Sequence, residues 1–343
     1  MDSRNKVAST KNVISPIAFE PFPFLTNGHM MTIIPALWVR RLPPVKTPAV
    51  DRLFQVKPHV QVLAKCHFAQ DAKTRPTLII LHGLEGSSDT PYVLGLTHKA
   101  LEHGMNVVRL NLRNCGNTLH LTPTLYNAGL SSDLIAVTNE LSEMDGLKTI
   151  FAAGYSLGGN IVLKAASELG SEGKELFKGI CAVSPALDLA ACVDSMEKGF
   201  NRFYEQRFLY GLKDKIRIKH QMYPSLYDVA KLKGVTTLRG FDDVFTAPDA
   251  DCKDSAEYYE KASAIRIIEK SEVPILIIAA KDDPIVPFKS FDSPKLKAPN
   301  ITMLTPEHGG HSGFLGRAPE SKGAVRDRFW AENRIIEFCL AQE

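Results

Sequence analysis

Short apolar runs recur along the chain, each too brief for a helix and each followed by a longer amphipathic stretch. Thr77–Leu81, Asn106–Leu110, Thr149–Ala153, Gly179–Val183, Pro274–Ala280 and Ile301–Leu304 are such runs. A run without polar alternation suits a strand covered on both faces. Val60–Phe68 alternates and reads as a further strand. Tyr92–His103 before Gly104, Leu130–Met144 with Ser131 or Ser132 as cap, Asn160–Leu169 before Gly170, and Ala324–Leu340 read as helices. Strands that alternate with helices predict an α/β chain with a mostly parallel, doubly wound sheet.

Two stretches break that rhythm. Residues 186–255 are rich in aromatic and charged groups, among them Phe200, Phe203, Tyr204, Phe208 and Tyr210. A structureless loop of that length is foreign to a compact domain, so the segment is expected to be a mostly helical cap insertion. Residues 1–50 interleave Phe19, Phe22 and Phe24 with Pro21 and Pro23, and later carry Pro43-Pro44. Prolines at this density favour extended backbone and oppose helix, so this stretch is expected to be an arm packed on the body. The expected division is therefore an arm over 1–50, a core over 51–185 and 256–343, and a cap over 186–255.

Composition excludes several classes. A chain of 343 residues that is 44% hydrophobic and 23% charged has ample material for a core, so disorder is not its main state. Lys+Arg 41 against Asp+Glu 38 leaves +3, which gives no reason to expect nucleic acid or an anionic membrane as partner. No apolar run approaches the ~18 residues of a transmembrane helix, and Met1–Thr10 lacks the apolar segment of a secretory signal. The six cysteines show no CxxC spacing and read as reduced thiols, so the cytoplasm is the expected compartment. Asn300-Ile301-Thr302 matches a glycosylation pattern that is incidental without a secretory route.

The chemistry centres on Gly154-Tyr155-Ser156-Leu157-Gly158-Gly159, which follows a strand and precedes a helix. That context lifts a serine hydroxyl clear of the sheet on a sharp turn where bulky neighbours would clash. A serine needs a base, and the base an orienting carboxylate. Asp282 and Asp283 follow the Pro274–Ala280 run; His308 and His311 follow Ile301–Leu304. Asp283 is favoured because it stands one step before the proline that turns its loop, and His311 because its glycine neighbours allow close backbone approach. Leu81-His82-Gly83-Leu84-Glu85-Gly86-Ser87 closes an early strand. The Leu84 amide there and the Leu157 amide after the serine are the expected oxyanion donors. His82 and Glu85 are expected to act structurally. HExxH, a paired CxxC, a post-strand GxGxxG and a phosphate loop are all missing, so no metal or organic cofactor is expected.

The ordered Ser156, Asp283 and His311 resemble the α/β-hydrolase superfamily. Further blocks resemble its YheT-like hydrolases, bacterial relatives of the eukaryotic ABHD1/ABHD3 group. They are Asn27-Gly28-His29 with Thr32-Ile33, His82 to Ser88 with Pro91-Tyr92, Arg113 with Cys115-Gly116, Thr122-Pro123 with Leu125-Tyr126, Arg239 to Pro248, Tyr258-Tyr259, and His308 to Phe314. The likeness spans about residues 19–340. The chain departs from the family at Asn114 and Asn117, at Asn127 where a histidine is frequent, and near Met31. The resemblance implies an α/β-hydrolase fold and hydrolysis of a small-molecule acyl ester of short to medium chain. Acyl transfer, thioester or lipid cleavage with the same three residues, and a non-catalytic ligand sensor, are the alternatives.

Overall fold

The computed structural model describes residues 18–317 and 327–342. The polar segment Met1–Thr10 and positions 324–326 of the expected closing helix lie outside them. An eight-stranded sheet runs in the order β1-β2-β4-β3-β5-β6-β7-β8. Its strands are β1 (Val50–Lys57), β2 (Val60–His67), β3 (Thr77–Leu81), β4 (Asn106–Leu110), β5 (Ile150–Tyr155), β6 (Gly179–Val183), β7 (Ile275–Ile278) and β8 (Ile301–Leu304). β1 and β2 form an antiparallel hairpin, and β2 pairs antiparallel with β4; every later pairing is parallel. This is the arrangement that the resemblance to the α/β-hydrolase superfamily implies.

The apolar runs are continuous because both sheet faces are covered. In β3, Leu78 and Ile80 enter one core cluster and Ile79 and Leu81 the other. Helices α2 (Pro91–Glu102) and α11 (Trp330–Ala341) cover the first face. Helices α3 (Ser131–Glu143) and α4 (Leu157–Leu169) cover the second, followed by the single turn α5 (Gly173–Leu176). Neither serine caps α3: its N-cap is Leu130, and the Ser131 hydroxyl donates to Glu168 and to the Gly129 carbonyl. Between β6 and β7 lie α6 (Leu189–Met196), α7 (Arg202–Met222), α8 (Leu238–Phe241), a π-helical turn at Asp242–Thr246, α9 (Ala247–Asp249) and α10 (Ser255–Ala262).

Three sequence expectations need correction. Residues 1–50 contain a regular helix, α1 (Gly28–Leu37), where proline density had predicted none. Asn27 caps it by accepting from the His29 and Met30 amides, and Pro35 lies in its last turn, where little helix remains to disrupt. β1 escaped detection because it is an edge strand on which Phe54 is the one buried residue. The closing helix starts at Trp330; Asp327, Arg328 and Phe329 before it are not helical.

The α1 segment is tied down at both ends. At its far end, the Arg40 guanidinium binds Asp327 and Glu332, and the Lys99 ammonium reaches the same two carboxylates at 2.8 and 3.1 Å. At its near end, α1 meets the loops after β7 and β8 backbone to backbone. A Cβ on Gly28 would lie 1.9 Å from the Asp282 carbonyl oxygen, and one on Gly313 would lie 1.9 Å from that of Met31. Neither obstacle is a flexible side chain. Gly28→Ala should therefore cost about 1–3 kcal/mol in urea unfolding. Gly234→Ala, where an added Cβ meets nothing within 4 Å, should stay within about 0.5 kcal/mol of the parent.

Candidate active site

The loops that leave β3, β5, β7 and β8 at their carboxyl ends converge, as expected where chain connections run outward in both directions from a central strand. Ser156 is the first of their products. It has φ 54° and ψ −116°, a conformation non-glycine residues rarely adopt. The turn closes only because its neighbours lack side chains. A Cβ on Gly154 would lie 2.2 Å from the Gly158 carbonyl oxygen, and one on Gly158 would lie 2.4 Å from that of His82. The serine carbonyl accepts from Asn160 and Ala186 amides at 3.1 and 3.2 Å, which locks the turn to α4 and to the loop after β6.

His311 Nε2 lies 2.9 Å from Ser156 Oγ, and its Nδ1 lies 2.9 Å from Asp283 Oδ2. Asp283 is nearly buried, and its Oδ1 also accepts from the Ile285 and Val286 amides at 2.8 and 2.9 Å. That turn fixes the carboxylate before any histidine arrives. The second pair runs parallel to the first. Asp282 accepts from the Gly310 amide at 2.8 Å and faces His308 Nδ1 at 3.2 Å. The favoured residues of each doublet are thus the ones brought to Ser156, and the other two brace the loop.

Sequence reasoning placed Thr32 in a family-like block but gave it no role. Its hydroxyl donates to the Gly28 carbonyl at 2.7 Å and accepts from the His311 amide at 2.8 Å. The capping pattern at Asn27, followed by Met30, Met31, Ile33 and Ile34, was the available signal.

Leu84 and Leu157 both line the cavity that contains Ser156. Among the described residues, neither backbone N–H has a protein acceptor. The Leu84 loop is held from below and from the side. His82 is buried; its Nδ1 faces the Gly83 carbonyl at 2.8 Å, and its Nε2 accepts from the Leu112 amide at 3.1 Å. The ring is therefore neutral, and burial drives its pKa down to about 4. Glu85, at φ 57°, accepts from the Tyr126 hydroxyl and the Lys215 ammonium of α7, each at 2.6 Å. Lys219, one turn further along α7, is buried and donates to the Leu119 and Thr122 carbonyls. Its burial pushes its pKa down to about 8. Arg113 orders the loop after β4 through a buried two-pronged pair with Asp133, at 2.6 and 2.5 Å.

Two spaces meet at Ser156. An outer cleft of about 510 Å³ runs past α1, Tyr92, Phe203 and His311. A narrow inner pocket of about 90 Å³ runs under α6 and α7, between Leu189, Val193, Met196 and Leu212. Among the described residues, no group of His, Cys, Asp and Glu side chains could hold a metal ion, and no helix is long and apolar enough to cross a membrane. All six cysteines are buried and unbridged; burial lifts the Cys66 and Cys115 thiols to about 12. Asn300 spends its side-chain amide on the Ser271 and Val273 carbonyls.

With the geometry in place, comparison with known proteins decides the family. Residues 76–318 match the family model described as the alpha/beta hydrolase fold. The chain is 33% identical over 328 residues to the Escherichia coli candidate esterase YheT, covering 94% of this chain and 93% of that one. The chain belongs to the α/β-hydrolase family, in its YheT-like branch. Other relatives in the family include the mouse phospholipase ABHD3, 30% identical over 247 residues, which cover 71% of this chain and 60% of that one. A monoacylglycerol lipase of Saccharomyces cerevisiae is 33% identical over 262 residues, 72% and 56% of the two chains. An esterase of Pyrococcus furiosus shares the fold at a TM-score of 0.56 and 15% identity, covering 88% of this chain and 96% of that structure.

The His82 environment fixes a pH dependence. Its folded pKa lies below the ordinary histidine value of ~6.5, so the unfolded chain binds the extra proton first. The stability it supports is complete above ~6.5 and falls as pH drops toward about 4. Urea midpoints measured from pH 7 to pH 4 should fall in that window. In His82→Gln that part of the fall should be missing, on a lower baseline.

Proposed function

We propose that the protein is a serine carboxylesterase that acts on short- to medium-chain acyl esters through an acyl-enzyme on Ser156. The observation that carries this reading is the unbroken relay from Ser156 Oγ to His311 Nε2 and from His311 Nδ1 to Asp283, with 2.9 Å at each step. His311 takes the serine proton as Oγ attacks the ester carbonyl. The oxyanion that forms is met by the Leu84 and Leu157 amides, at the N-terminus of α4 where the helix dipole also favours negative charge. His311 then protonates the leaving alcohol, and the same nitrogen activates water to release the acid. Asp283 holds the histidine tautomer and stabilises the imidazolium. No cofactor enters these steps.

The two spaces divide the substrate. The narrow inner pocket suits an acyl chain, and the wider outer cleft suits the alcohol. Residues 186–255 act as the cap that roofs the acyl side, the described residues 18–50 of the 1–50 arm brace the base, and the described remainder forms the core. The esterase and lipase names among the relatives agree with an ester as the substrate class. The buried, unbridged cysteines suit a reducing compartment, the cytoplasm.

Hydrolysis of p-nitrophenyl esters of graded acyl length tests the reading. Ser156→Ala should lower kcat by about 10⁶, and Asp283→Asn by about 10⁴. Asp282→Asn, which loosens the His311 loop and leaves the relay itself intact, should cost far less than Asp283→Asn. Unchanged turnover in Ser156→Ala would sink the mechanism.

A further inference from the structure

The inner pocket is not uniformly apolar. Past the aliphatic walls it exposes Asp242, Thr246 and Asn127, with Tyr258 and Tyr259 beside them. Asp242 belongs to the π-helical turn, a distortion that re-aims side chains and recurs at functional sites. It retains some accessible surface, and that surface faces this pocket. Its Oδ2 accepts from the Tyr259 hydroxyl at 2.7 Å, and Thr246 supplies a second donor. A carboxylate offers about four lone-pair positions, so acceptor capacity remains.

Among the described residues no cation forms a direct ion pair with this carboxylate, and Arg239 acts on it only from a distance. The neighbouring arginine, Arg239, pairs instead with Asp194 at 2.5 Å and Glu197 at 3.6 Å. Burial raises the Asp242 pKa to about 6, with the Asp243 charge adding to the rise and the Thr246 and Tyr259 hydroxyls and Arg239 only partly opposing it. Asn127 presents the complementary group. Its Oδ1 accepts from the Gly129 amide at 2.9 Å, which leaves the Nδ2 donors without a protein acceptor among the described residues. The two polar groups belong to one wall: the Ala128 amide donates to the Tyr258 hydroxyl at 2.9 Å, and the Tyr258 ring lies 5.4 Å from that of Tyr259.

A plain hydrocarbon chain would strip water from both groups and return nothing. An ammonium would satisfy Asp242 and oppose the Asn127 donor. A hydroxyl donates and accepts at once. We propose that the inner pocket selects acyl chains that carry a hydroxyl group, with Asp242 accepting from that hydroxyl and the Asn127 amide donating to it. The inference rests on the esterase reading of Ser156 and adds its acyl specificity.

The test pairs p-nitrophenyl hexanoate with 6-hydroxyhexanoate, and octanoate with 8-hydroxyoctanoate. A hydrogen bond to a charged group discriminates by roughly 10- to 100-fold. The wild type should show a kcat/KM at least about 10-fold higher for the hydroxylated ester at one of these lengths. Asp242→Leu, similar in shape, should reduce that ratio to about one or below. Preference for the plain ester at both lengths overturns the proposal, and so does a ratio unchanged in Asp242→Leu. If that variant fails to fold by thermal melting, Asn127→Ala takes its place with the same reading. Calorimetric binding of the paired esters to Ser156→Ala separates this inference from the mechanism. Tighter binding of the hydroxylated ester supports the pocket assignment even if turnover does not depend on Ser156. Equal binding overturns it.

Discussion

At φ 54° and ψ −116°, Ser156 occupies backbone space that costs on the order of 1–3 kcal/mol, and it stays there only because its surroundings leave no alternative. β5 fixes the residue before it and α4 the residue after it. The His82 carbonyl and the loop after β6 close in where side chains would otherwise stand. The sheet therefore does more than support the site. Its parallel order delivers several loops to one end, and each loop constrains the turn from a different side. The anchor at Asn160 is part of this. Its buried amide binds the Ala128 and Ala262 carbonyls and accepts from Ala264, which ties α4 to the loop before α3 and to the end of α10.

The second constraint comes from α1. Its backbone packs against the loops that carry Asp282 and His311, and the close contacts permit only glycine at Gly28 and Gly313. Thr32 then sets the position of the His311 amide. The His311 loop is thus located by an element far away in the chain, held at its other end by Arg40 among Asp327 and Glu332.

Much of this was legible in the residues. The inner strands announce themselves because both faces are buried, so no polar alternation interrupts them. The serine turn is legible because its steric demand admits few sequences. Loop chemistry singled out Asp283 and His311 over their neighbours, and the fold sets His311 2.9 Å from both Asp283 and Ser156. The misses share a cause: they depend on contacts distant in sequence. α1 is short and contains Pro35, and its stability comes from loops some 280 residues away, such as that of His311. β1 is exposed on most of its length, so its pattern carries little hydrophobic signal. The polar end of the inner pocket was invisible because Asn127 and Asp242 come to line one pocket only after the chain has folded.

Glu85 joins parts that a domain diagram would separate. One carboxylate oxygen receives Tyr126 from the core and Lys215 from α7, while the residue before it carries the Leu84 amide. A movement of α7 away from the core would break the Lys215 contact and remove one of the ties on the loop on which that amide sits. The helix that walls the inner pocket is therefore also one of the supports of the Leu84 loop.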